Sequence, residues 1–212
     1  RVAALLDAAM TAHRAGAIDE AEEGYRAILE LKPDHADALH LLGVSRFQNG
    51  AGREAFDLVS RAISVRPDAA AYQNTLGTIL RSAKEYERAA QAFGQALRLQ
   101  PDYRDARNNL ALVLCDQKRF DDARTVLRDS LADKPDDPVL LTGMGRLHLL
   151  TDDIEAAVGC FHDALKAAPD HVDAFNNIGV AFNLLGDIAG ARASFERALE
   201  LDPSHVDAHY NI

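Results

Sequence analysis

Residues 172–205 read VDAFNNIGVAFNLLGDIAGARASFERALELDPSH, and the spacing inside this stretch decides the fold. Its closing Pro203 is one of a series: Pro33, Pro67, Pro101, Pro135, Pro169 and Pro203 stand 34 residues apart without a slip. Loops tolerate insertions, so a period this strict implies a structural unit of that length stacked on its neighbours. The repeats run 2–35, 36–69, 70–103, 104–137, 138–171 and 172–205, with a partial seventh at 206–212, in one array spanning 1–212.

Other columns align in the same frame. The twentieth position is Ala21, Ala55, Ala89, Ala123, Ala157 and Ala191. The eighth is Gly43, Gly77, Gly145 and Gly179, with Ala9 and Ala111 in the other two repeats. Small residues facing each other let two helices approach closely, and larger ones would overpack the contact at a cost of roughly 1–3 kcal/mol each. The twenty-fourth position carries the bulky plug: Tyr25, Val59, Phe93, Leu127, Phe161 and Phe195. Gly16, Gly50 and Gly186 lie between the helices of a repeat, where a left-handed turn residue is expected, with Lys84, Lys118 and Asp152 in the other repeats. Each proline is followed by Asp34, Asp68, Asp102, Asp136, Asp170 or Ser204, good N-cap residues for the next helix.

Composition narrows the function. The 212 residues carry 23 Lys and Arg against 33 Asp and Glu, a formal charge of -10, which disfavours nucleic acid as a partner. Cys115 and Cys160 form no Cys-x-x-Cys pair, so neither a disulfide framework nor a zinc site is indicated, and a reducing cytoplasm fits. No apolar run is long enough to span a bilayer, so no membrane partner is expected. His35, His171 and His205 follow Pro at the same place in three repeats, which repetition explains better than metal binding. No catalytic residue, metal site or cofactor is legible, and the chain is not read as an enzyme.

The small-large-small order of Gly179, Ala191, Phe195, Ala198 and Pro203 resembles the tetratricopeptide repeat over essentially the whole chain. The resemblance implies an all-α fold, an α-solenoid of helix-turn-helix repeats forming a right-handed superhelix. Departures from the pattern cluster: Ile28 and Ser130 replace the usual late Ala, so the first and fourth repeats are expected to pack less regularly. The run from His205 to Ile212 opens a further first helix, implying a longer native array whose uncapped end could self-associate.

Family resemblance places positions 2, 5, 6, 9, 12 and 13 of each repeat on a concave groove. Amides crowd there: Asn74, Asn108 and Asn176 at position 5, Asn109, Asn177 and Asn211 at position 6, and Asn183 at position 12. An amide offers both a donor and an acceptor, so such a ladder could hold extended peptide backbone. Alternatively, the position 6 amides bond to neighbouring backbone. Phe47 is the aromatic candidate for partner contact, and Arg81 and Arg146 are the basic ones. Positions 5 and 9 lack the Lys and Asn with which some family members clamp a C-terminal carboxylate.

The first helices also resemble the N-terminal repeats of bacterial relatives of O-linked N-acetylglucosamine transferases, including flagellin-modifying glycosyltransferases. That resemblance implies a groove recruiting an acceptor protein for a transferase domain elsewhere. The competing expectation is a free-standing scaffold or self-assembling adaptor.

Overall fold

The computed structural model describes residues 1–212 and contains thirteen α-helices and no strands. In chain order they are α1 (Val2–Arg14), α2 (Ile18–Leu31), α3 (Ala36–Gln48), α4 (Gly52–Val65), α5 (Ala70–Ser82), α6 (Tyr86–Leu99) and α7 (Arg104–Asp116). Then follow α8 (Phe120–Asp133), α9 (Pro138–Leu150), α10 (Ile154–Ala167), α11 (Val172–Leu184), α12 (Ile188–Leu201) and the short α13 (Val206–Asn211). Odd-numbered helices are the first of each hairpin and even-numbered ones the second. The first and fourth repeats keep the same helix lengths as the others, with Ile28 fully buried and the Ser130 hydroxyl donating to the Val126 carbonyl at 2.6 Å.

The chain forms two compact units, Arg1–Asn109 and Leu110–Ile212. In the first, Tyr25, Leu39, Leu42 and Tyr72 gather with the alanines of the hairpin seams, and Val59 packs with Ala55 and Ile79. In the second, Leu127, Leu140 and Leu147 form one core and Phe161, Ile178 and Ala181 another.

The eighth and twenty-fourth columns meet inside each hairpin. A methyl group at Gly77 would lie 2.5 Å from the Phe93 ring, and methyls at Gly145 and Gly179 would collide with Phe161 and Phe195 in the same way. Gly43 stands against Val59, where the added carbon would come within 2.7 Å. The first repeat inverts the arrangement: Ala9 occupies the eighth position and Gly24, on the second helix, makes room for it. All six twentieth-position alanines are buried.

The turn between the helices of a hairpin is left-handed at one residue. Gly16, Gly50 and Gly186 have φ of 78°, 79° and 80°, and Lys84, Lys118 and Asp152 adopt 61°, 61° and 64° at the same place. Three repeats therefore carry a side chain in a conformation that glycine adopts without steric cost.

The helix caps differ from the sequence expectation. The residue after each proline is not the N-cap; the cap is the next residue, as at His35, Asp137 and His205. The reason is a β-turn that takes Pro and the following residue as its two central positions, closed by His35 N–H donating to Lys32 O, Asp137 to Lys134 O and His205 to Asp202 O. The Asp or Ser is thus consumed by the turn. His35 Nδ1 accepts from Ala38 N–H at 3.3 Å and His205 Nδ1 from Ala208 N–H at 3.1 Å, while Asp137 Oδ1 accepts from Val139 and Leu140. Because His205 Nδ1 is the acceptor, its Nε2 carries the proton and donates to Asp173 at 3.2 Å.

Candidate protein-binding surface

The amides on the first helices bond chiefly to each other. Asn109 Nδ2 donates to Asn74 Oδ1 at 3.0 Å, and Asn211 Nδ2 donates to Asn176 Oδ1 at 3.0 Å. Each pair joins position 5 of one repeat to position 6 of the next, a separation of 35 residues. The same register brings His40 Nε2 within 2.8 Å of Thr75 Oγ1. The α3–α5, α5–α7 and α11–α13 pairs are thus each stitched by a polar contact, which satisfies part-buried groups that would otherwise cost about 1–3 kcal/mol unpaired.

The remaining amides divide differently. Asn176 is only 5% exposed, so little beyond its bond to Asn211 is reachable from solvent. Asn177 spends an amide proton on the Asp173 carbonyl of its own helix at 2.6 Å. Asn108 Oδ1 is buried without a partner. Asn183 alone among these amides is exposed. Phe47 is half-buried and packs against the cluster of Ala55, Val59 and Ile79, while Arg81 and Arg146 are half-buried and engaged within the protein. Apolar surface appears instead at position 13 of the second unit, where Leu150 is 56% and Leu184 58% exposed.

Two polar clusters in the first unit escaped the sequence reading. The Glu22 carboxylate, 3% exposed, accepts from Ser45 Oγ at 2.9 Å, Asn49 Nδ2 at 3.2 Å and Arg26 at 2.6 Å, with Arg46 at 3.4 Å. Burial pushes its pKa up, but the hydrogen bonds from Ser45 and Arg26 and the charges of Arg26 and Arg46 outweigh that and hold it below the usual carboxylate value. The cluster ties α2 to α3 across a repeat boundary.

In the second cluster Tyr72 donates to Asp37 Oδ1 at 2.7 Å, and Arg66 bonds both Asp37 and the Tyr72 hydroxyl. The Arg66 guanidinium also lies 4.8 Å from the centre of the Tyr72 ring, and His40 stacks on that ring at 4.5 Å. Burial drives the His40 pKa down to about 4, against the opposing pull of Asp37, so the imidazole is neutral at pH 7. No sequence motif marks either cluster: each is assembled from different helices and loops, and only the fold brings the partners together.

Residues 1–210 match the family described as the Cilia and flagella-associated protein 70 C-terminal domain. The chain belongs to this tetratricopeptide-repeat family. No curated protein matches the domain. Among solved structures, a tetratricopeptide repeat protein from Parabacteroides merdae is 15% identical, with a TM-score of 0.88 over 99% of this chain and 82% of that one. PilF of Pseudomonas aeruginosa is 20% identical with a TM-score of 0.71, covering 99% of this domain and 95% of that chain. YrrB, described as a tetratricopeptide protein with an unusual peptide-binding site, is 20% identical with a TM-score of 0.56 over 89% of this chain and 97% of its own. Identities this low establish the fold of the domain, a tetratricopeptide solenoid. No helix of the domain is long and apolar enough to cross a membrane, and no three His, Cys, Asp or Glu side chains gather into a metal cluster.

Proposed function

We propose that this tetratricopeptide domain is a protein-binding module whose first-helix face holds a polypeptide segment, and that it serves as a scaffold or adaptor. The observation that carries the reading is the pair of exposed leucines, Leu150 and Leu184, at one repeat position in the second unit, with Asn183 exposed beside Leu184. The Asn176–Asn211 bond ties α11, which carries Leu184, to α13. Apolar anchors on a rigid polar frame are the usual composition of a peptide-binding surface. The amides of this unit contribute through whatever capacity their own bonds leave: Asn183 with its whole side chain and Asn211 with its oxygen. Asn176, Asn177 and Arg146 in this unit, and Asn74, Phe47 and Arg81 in the first, are engaged within the protein.

YrrB, with its peptide-binding site, is a precedent in the same fold. Recruitment of an acceptor for an attached glycosyltransferase is a narrower form of the proposal, resting on the repeat resemblance alone; the family match and the structures named above point to no transferase. The scaffold form is the one advanced. A cytoplasmic setting belongs to the same proposal and is compatible with two unpaired cysteines.

Selection from a random displayed-peptide library tests the reading. Peptides enriched on the wild-type domain should carry apolar anchors and should lose binding at least about tenfold, a change of about 1.4 kcal/mol, to a Leu150→Asp/Leu184→Asp variant of unchanged helicity. Equal binding to both proteins would refute it.

A further inference from the structure

The seventeenth repeat position, the first residue of each second helix, is bulky and apolar in every repeat but one: Ile18, Gly52, Tyr86, Phe120, Ile154 and Ile188. In the fourth and fifth repeats this side chain is packed into the core, whereas Ile188 of the sixth repeat is 66% exposed. Phe120 packs on the cluster containing Leu140 and Leu147, and Ile154 on the cluster containing Ile178 and Ala181. Gly52 supplies nothing, and a carbon added there would meet no atom within 4 Å. The result is a cleft of about 510 Å³ in the first unit, floored by Phe56, Ile79 and Leu80, with Ile79 standing where Leu147 and Ala181 stand in their repeats. This volume is within the usual range for a ligand pocket, roughly 300–1,000 Å³.

The rim is polar and partly unspent. Arg88 lies over the Phe56 ring at 5.4 Å and is bonded to Glu85, which fixes one wall. Arg53 and Asp57, one turn apart on α4, line the cleft with no partner of their own. A shallower depression of about 500 Å³ shares Gly52, Arg53 and Asp57 with the cleft and continues past Gly50 at the start of α4. The surface thus offers an open cleft with an apolar floor, a donor and an acceptor beside it, and a shallower depression adjoining it.

We propose that the Gly52 cleft is a second binding site, which takes one branched aliphatic or aromatic side chain from an extended segment of a partner polypeptide. The missing column residue sets the size of the guest, since Phe120 and Ile154 pack against the core from the same position of their repeats. The guest's main chain supplies a carbonyl to Arg53 and an N–H to Asp57, the donor and acceptor exposed at the rim of the cleft. The proposal rests on the protein-binding reading but uses the second-helix side of the first unit, so the two sites can fail separately.

The test is a nuclear magnetic resonance titration of the whole 212-residue chain with the N-acetyl methylamides of isoleucine and phenylalanine, using the glycine analogue as control. The isoleucine and phenylalanine probes should shift the amide signals of Gly52, Ile79, Leu80 and Ala83 saturably, and the glycine analogue should not. Gly52→Ile, which refills the socket, should weaken these probes about tenfold or more, while Gly52→Ala and Leu150→Asp/Leu184→Asp retain them. Thermal unfolding of Gly52→Ile at or above the wild-type temperature shows that blocking, not misfolding, is responsible. Absence of saturable shifts, or shifts that survive Gly52→Ile, would overturn the proposal. Concentration-dependent self-association abolished by Gly52→Ile would also overturn it, by giving the cleft to a second copy of the chain.

Discussion

The side-chain amide of Asn109 donates to Oδ1 of Asn74 3.0 Å away, across the boundary between two successive repeats. Asn211 and Asn176 repeat the bond, and His40 with Thr75 makes its counterpart. Truncating one partner leaves the other unpaired in a half-buried seam, so Asn109→Ala should destabilise the first unit by about 1–2 kcal/mol. A double-mutant cycle with Asn74→Ala, read by urea unfolding, should give a coupling of about 0.5–1.5 kcal/mol. Strict additivity would show that the bond contributes nothing.

The hairpin turns offer a stabilising change. Lys84, Lys118 and Asp152 hold positive φ where three other repeats have glycine. Replacing each by Gly should relieve about 1 kcal/mol of backbone strain, offset in part by the entropy of the glycine in the unfolded chain. Melting temperatures should therefore rise for these variants and fall for Gly50→Ala. A fall for all three glycine variants would contradict the strain.

Two glycines should respond oppositely to the same methyl group. Gly77→Ala drives a carbon into the Phe93 ring and should cost about 1–3 kcal/mol. Gly52→Ala meets no atom and should be neutral or stabilising by up to about 1 kcal/mol, because alanine is the better helix residue. Chemical denaturation of the two variants side by side settles the contrast.

Acid should weaken the first unit in two stages. His40 has a folded pKa of about 4, below the ordinary 6.5, so between those values the unfolded chain binds a proton that the folded one refuses. Its contribution is full above about pH 6.5 and is lost as the pH falls towards 4, amounting to at most about 3 kcal/mol. Glu22 is also held below its ordinary value, so its contribution is present above about 4.5 and disappears on further acidification. Stability measured against pH should show the upper stage vanish in His40→Gln and the lower one diminish in Glu22→Gln.

Much of the fold was legible because its determinants recur. A 34-residue period, small residues facing the plug at Phe93, Phe161 and Phe195, and turn glycines at Gly16, Gly50 and Gly186 each state a packing requirement in residue size alone. The N-caps were misplaced by one residue because Asp suits a cap and a Pro-Asp turn equally, and only the closing bond at His35 distinguishes them. The groove amides were legible as a column but not as pairs, since an amide that can bond a peptide can equally bond the amide of the next repeat. Glu22 carried no signal, because its burial depends on Ser45 and Asn49, which lie on the next hairpin. The Gly52 cleft is written in the sequence only as a gap in a column, and a gap has meaning only once its neighbours' packing is seen.

Hydrogen–deuterium exchange of the domain saturated with a library-selected peptide tests the binding face most directly. Protection should concentrate on the first helices α9 and α11, around Leu150 and Leu184, with α10 and α12 little changed. Protection confined to α10 and α12, with α9 and α11 exchanging as in the free protein, would contradict the assignment of the first-helix face as the peptide-binding surface.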